Sequence, residues 1–131
     1  MSITDKELYT IAQKALVNAY APYSKFKVGA ALLATDGTIF TGVNVENSTY
    51  GATICAERTA FVKAISEGNT KFSKIAVASS GGSAWPCGVC RQFMYEFNPE
   101  LQVITGDNED SLEGFALKEL LLKGFKLEPE Q

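Results

Sequence analysis

Ile54-Cys55-Ala56-Glu57-Arg58-Thr59-Ala60-Phe61-Val62-Lys63-Ala64-Ile65-Ser66-Glu67-Gly68 is the stretch on which the architecture turns. Ile54, Phe61 and Ile65 share one face at helical spacing and Gly68 is a natural stop, so the spacing predicts a helix over 54–67 with Cys55 and Glu57 in its first turn. Upstream, 26–34 reads as a strand, Thr35-Asp36-Gly37 as a turn, and 38–44 as the returning strand of a hairpin. Downstream, 74–79 reads as a short strand, and Gly81-Gly82-Ser83 as a loop that delivers Pro86 and Cys87 to a second helix ending before Asn98-Pro99. A strand over 101–105, a short one near Phe115 and a helix over 117–122 follow. At the other end, Thr4-Asp5-Lys6-Glu7 is a capping box, and Leu8, Ile11, Ala12, Ala15 and Ala19 continue a helix that Pro22 should terminate. Strands alternating with helices predict an α/β chain, a three-layer α/β/α sandwich around one mixed sheet of about five strands.

The 131 residues, 46% hydrophobic and 21% charged, suffice for one core and one domain over 1–131. The longest apolar run, 28–34, is far below the ~20 residues of a membrane span, and Asp5 and Glu7 stand where a targeting signal would be basic. A reducing, cytoplasmic setting is expected, because thiolates that hold metal must stay reduced. The net charge of −3 is mild and Lys and Arg are scattered, which argues against nucleic acid or a membrane surface as partner.

The chemistry lies in three cysteines and no histidine. Cys87-x-x-Cys90 has the spacing with which two thiolates grip one zinc, and Cys55 offers a third. A structural zinc takes four protein ligands; with no fourth cysteine, three thiolates leave the open position of a catalytic site. All three cysteines are predicted at helix starts, where negative charge is favoured. Three thiolates on a divalent cation leave one surplus negative charge, and Arg58 is placed to offset it by donating to sulfur. Without histidine, proton transfer falls to Glu57, two residues from a ligand. A ligand, one residue, a non-ligand Glu and a downstream Pro-Cys-x-x-Cys form the general layout of zinc enzymes that deaminate nucleobases.

Five segments then carry a resemblance over nearly the whole chain: Ala21-Pro22-Tyr23-Ser24-Lys25-Phe26, Val28-Gly29-Ala30-Ala31-Leu32, Asn44-Val45-Glu46-Asn47, Cys55-Ala56-Glu57-Arg58-Thr59-Ala60 and Pro86-Cys87-Gly88-Val89-Cys90-Arg91-Gln92. The chain resembles the small, homotetrameric, three-cysteine cytidine deaminases. That resemblance implies one Zn²⁺ per subunit, a nucleoside substrate and hydrolysis of cytidine and deoxycytidine in pyrimidine salvage. It also implies that Asn44 and Glu46 hydrogen-bond the sugar 3′-hydroxyl, that Phe26 packs beside the nucleoside, and that the Ala56 N–H binds the cytosine carbonyl. Where similar enzymes read Glu-Leu-Leu-Pro before an aromatic that enters a neighbouring subunit's pocket, this chain has Glu119-Leu120-Leu121-Leu122-Lys123-Gly124-Phe125. Losing the proline changes the chain direction ahead of Phe125. Two other readings compete: a deaminase of a cytosine-containing antibiotic such as blasticidin S, and a non-catalytic zinc-binding module.

Overall fold

Thr4 closes the capping box in the computed structural model, which describes residues 3–127. Its Oγ1 accepts from Glu7 N–H at 3.1 Å, and its own N–H donates to Glu7 Oε1 at 2.8 Å, so two otherwise orphaned donors are satisfied where α1 (Asp5–Ala15) begins. The first strands, β1 (Val28–Ala34) and β2 (Ile39–Val43), form the predicted antiparallel hairpin, with Gly37 at φ 94° in the turn. After them come α2 (Ala56–Ser66), β3 (Phe72–Ser79), α3 (Gly88–Tyr95), β4 (Gln102–Gly106), β5 (Leu112–Ala116) and the short α4 (Leu117–Leu120).

The sheet is mixed and five-stranded, in the order β2-β1-β3-β4-β5. β3 and β4 run parallel; the other neighbouring pairs are antiparallel. Alternate residues of β1 and β3 divide between two cores. Ala31, Ala76 and Ala78 face Leu8, Tyr9 and Ala12 of α1, whereas Ala30, Leu32, Ile75 and Val77 face Ala60, Phe61 and Ala64 of α2 and Met94 of α3. The result is the predicted α/β/α sandwich. Two glycines set how closely the layers approach. A Cβ on Gly29 would lie 2.2 Å from the Ala12 carbonyl oxygen, and one on Gly42 2.4 Å from both the Ala56 carbonyl oxygen and Ala60 N, so α1 and α2 rest on bare backbone.

Several predicted boundaries move. The first helix ends at Ala15 rather than at Pro22, because Tyr20 leaves the helical path to pair with Val45: its N–H donates to the Asn44 carbonyl (3.0 Å) and its carbonyl accepts from Glu46 N–H (2.8 Å). Phe26 precedes β1 instead of opening it, since Lys25 adopts φ 63° and turns the chain there. The last helix stops at Leu120, where Leu121 leaves helical geometry (φ −134°, ψ 88°) and Lys123 adopts φ 57°. Cys55 and Cys87 are the capping residues of α2 and α3, one position ahead of the first turns.

Candidate active site

Two helix starts meet at one end of the sheet. α2 contributes Cys55 at its cap, Ala56 at its first position and Glu57 next; α3 contributes Cys87 at its cap and Cys90 one turn on. The two segments are far apart in sequence, yet the three Sγ atoms all lie within 4.8 Å of one another. Cys55 Sγ and Cys87 Sγ are 4.0 Å apart. With Zn–S bonds near 2.3 Å, tetrahedral geometry separates sulfurs by about 3.8 Å, so this donor set fits zinc with little rearrangement. No other cluster of potential metal ligands is found among the described residues.

Electrostatics fit as well. Arg58 Nη2 donates to Cys55 Sγ at 3.6 Å and to the Thr53 carbonyl at 3.5 Å, which fixes the guanidinium beside the sulfurs. Cys55 is pulled well below the ordinary thiol range, chiefly because the Cys90 S–H donates to its thiolate and also because Arg58 faces it, against burial, which acts the other way. Glu57 is 5% exposed, and its carboxyl is pushed up to about 7, mainly by burial and further by the charge on Cys55. A carboxyl so placed suits a group that must both accept and return a proton near neutrality.

A cleft of about 310 Å³ opens onto this cluster, lined by Phe26, Asn44, Glu46, Cys55, Ala56, Glu57, Trp85 and Cys87 among others. Every sequence-predicted site residue except Arg58 and Cys90 is on its wall, and those two stand behind it in contact with Cys55. Asn44 and Glu46 already have protein partners. Asn44 Oδ1 accepts from Val28 N–H (2.9 Å) and its Nδ2 donates to the Phe26 carbonyl (2.8 Å). Glu46 accepts from Tyr23 N–H (2.9 Å), Ser24 N–H (3.2 Å) and the Ser24 hydroxyl. The Ser24 hydroxyl in particular holds the Glu46 carboxyl below its usual range, so it stays an ionised acceptor.

Ser24 and Trp85 are among the wall residues to which the sequence alone attached no role. The only signals were that Ser24 sits within a resembling segment and that Trp85 comes just before Pro86-Cys87. At the carboxyl end, Phe125 lies against α3: its carbonyl accepts from Gln92 Nε2 at 2.7 Å and its ring side remains exposed.

Known proteins agree with this geometry. Residues 2–106 match the profile of the cytidine and deoxycytidylate deaminase zinc-binding region. A cytidine deaminase of Sporosarcina psychrophila is 47% identical over 125 residues, which is 94% of this chain and 92% of that protein. One from Halalkalibacterium halodurans is 45% identical, covering 89% of this chain and 90% of the relative. Among solved structures, the cytidine deaminase of Burkholderia pseudomallei superposes with a TM-score of 0.88 at 42% identity, over 94% of this chain and all (100%) of that one. That of Mycobacterium tuberculosis does so with a TM-score of 0.83 at 37% identity, over 96% and 100%. With thiols, buried glutamate and cleft assembled on this frame, the chain belongs to the cytidine and deoxycytidylate deaminase zinc-binding family.

Proposed function

We propose that this chain hydrolyses cytidine and deoxycytidine to uridine and deoxyuridine with release of ammonia. The observation that carries the reading is the buried Glu57 opening onto the same cleft as the three-sulfur cluster. Cys55, Cys87 and Cys90 hold one Zn²⁺, which when bound supplies Lewis acidity and lowers the pKa of water. Glu57 takes a proton from the attacking water and passes it to ring N3. The water oxygen adds at C4; Glu57 then takes the remaining proton from the new C4 hydroxyl and gives it to the amine, so that the C4–N bond breaks, ammonia leaves and C4 becomes a carbonyl, one carboxylate serving the whole cycle.

The remaining wall orients the substrate. The Ala56 N–H, at the first position of α2, has no intrahelical acceptor by position and is free to donate to the cytosine carbonyl. Phe26 packs beside the nucleoside. Asn44 and Glu46 receive the sugar 3′-hydroxyl with the capacity they retain: an ionised carboxylate offers about four acceptor sites, of which Tyr23 N–H, Ser24 N–H and the Ser24 hydroxyl take three. The negative charge of Glu46 beside the 3′ position disfavours a further phosphodiester, so free nucleosides suit the cleft better than a polynucleotide. Arg58 draws charge from the Cys55 sulfur.

The same reading places the protein in pyrimidine salvage in a reducing cytoplasm, as a homotetramer. Free thiols and the absence, among the described residues, of any helix long and apolar enough to cross a membrane support the setting. Exposed Tyr50, Leu122 and Phe125 support association.

The test follows the ultraviolet change as cytidine becomes uridine, with ammonia measured independently, for zinc-loaded wild type and Glu57→Gln. Wild type turns over, and the variant keeps its zinc while losing ~10²–10⁴-fold in kcat. A near-normal rate in Glu57→Gln removes Glu57 from the mechanism. No turnover by folded, metal-replete wild type overturns the substrate and leaves the antibiotic or the structural zinc.

A further inference from the structure

Trp85 lines the cleft beside Cys87, yet none of the roles above employs it. Its backbone is fixed on both sides. The Ala84 N–H donates to the buried Thr105 hydroxyl (3.0 Å), which itself donates to the Val77 carbonyl (2.8 Å). The Pro86 carbonyl accepts from Arg91 Nε at 2.6 Å. Phe115 of β5 braces the indole edge-on, with ring centroids 5.4 Å apart and planes at 62°. A large flat ring anchored at its base and braced at its edge is a wall of the cleft.

Which edge of the base meets that wall follows from the chemistry. In the cytosine ring C4 is flanked by N3 and C5. Glu57 and the Ala56 N–H, which serve N3 and the carbonyl at C2, both sit at the start of α2. With Asn44 and Glu46 given to the sugar and Phe26 packed beside the nucleoside, the C5 flank turns toward the remaining part of the wall, the segment leading into α3, where Ala84, Trp85 and Cys87 line the cleft. We propose that Trp85 is a specificity-determining residue whose ring sets the largest substituent tolerated at C5 of the cytosine. This rests on the nucleoside reading of the site.

The experiment measures kcat/KM for cytidine, 5-methylcytidine and 5-iodocytidine with zinc-loaded wild type, Trp85→Ala and Phe115→Ala. Each analogue is expressed relative to cytidine on the same enzyme, so that its intrinsic reactivity cancels between enzymes. Removing the wall raises the 5-iodocytidine to cytidine ratio at least ~10-fold over wild type in Trp85→Ala, the size of effect expected from a few heavy atoms of pocket space. Phe115→Ala, which removes only the brace from a partly exposed position, raises it less. Ratios equal to wild type in both variants overturn the proposal. Should Trp85→Ala fail to fold, Phe115→Ala decides alone: a raised ratio supports the wall and an unchanged one overturns it. Absence of cytidine turnover in wild type is a separate result, which overturns the nucleoside reading itself.

Discussion

Arg58 reaches back over the start of its own helix. Its guanidinium spans the Thr53 carbonyl and the Cys55 sulfur, and its Nε is buried without a partner, so the group is held by those two contacts. Arg58→Ala should release zinc to a chromophoric chelator ~10–100-fold faster, the usual effect of removing a hydrogen-bond partner of a ligand. Arg58→Lys should fall between, because it keeps the charge and loses the planar fork. Release at the wild-type rate in Arg58→Ala would show that the helix ends suffice. Residues of this kind were legible in the sequence: thiolate count, absence of histidine and surplus charge pick out Cys55, Cys87, Cys90, Glu57 and Arg58 without any coordinates. Ser24 was not. Its bond to Glu46 joins residues 22 positions apart, which no local spacing rule reports.

Elements hold the site by close approach. Gly42 lets β2 touch the backbone of α2 at Ala56 and Ala60, one residue from Cys55 and Glu57. Gly42→Ala forces a methyl into that contact and should cost about 1–3 kcal/mol in urea unfolding, with weakened zinc affinity because α2 shifts as a body. Equal stability and affinity would mean that the layer has room to give. On the opposite face, Tyr9 ties α1 to the end of β4 through its hydroxyl, which donates to the Gly106 carbonyl at 3.0 Å. Burial, then the charges of Glu109 and Asp107, hold its phenol above the ordinary value. A pKa raised on folding contributes stability that is whole below the unfolded value of about 10 and is lost as pH rises through the folded value. Tyr9→Phe should therefore cost about 1 kcal/mol at neutral pH, through the lost hydrogen bond, and should lose less stability than wild type above pH ~10. Parallel loss in both proteins would assign the alkaline limb to other groups. Element types were legible from apolar period and caps. Their ends were not: Tyr20 abandons the helix for a bridge to Val45, a long-range pairing that outweighs local propensity.

At the scale of the molecule, the α/β/α sandwich could be read from the order of strands and helices. The sheet order could not, because it depends on where β3 inserts relative to the hairpin. Nor could the surface. Tyr50 is 84% exposed and Leu122 82%, with Phe125 also outward. Sedimentation at micromolar concentration should give a species of four times the 14.1 kDa chain mass, and thermal midpoints should rise with protein concentration. A monomer throughout would leave those side chains unexplained and the homotetramer wrong.

The sulfur cluster has a last consequence, in chain statistics. Cys55 and Cys87 are 32 positions apart, and the segment between them includes all of α2 and β3. A metal held at both ends closes that segment as a reversible clasp and removes part of the freedom the unfolded chain would otherwise regain. Zinc bound at the cluster should therefore stabilise the fold as well as supply chemistry, and a chelator should lower the thermal midpoint.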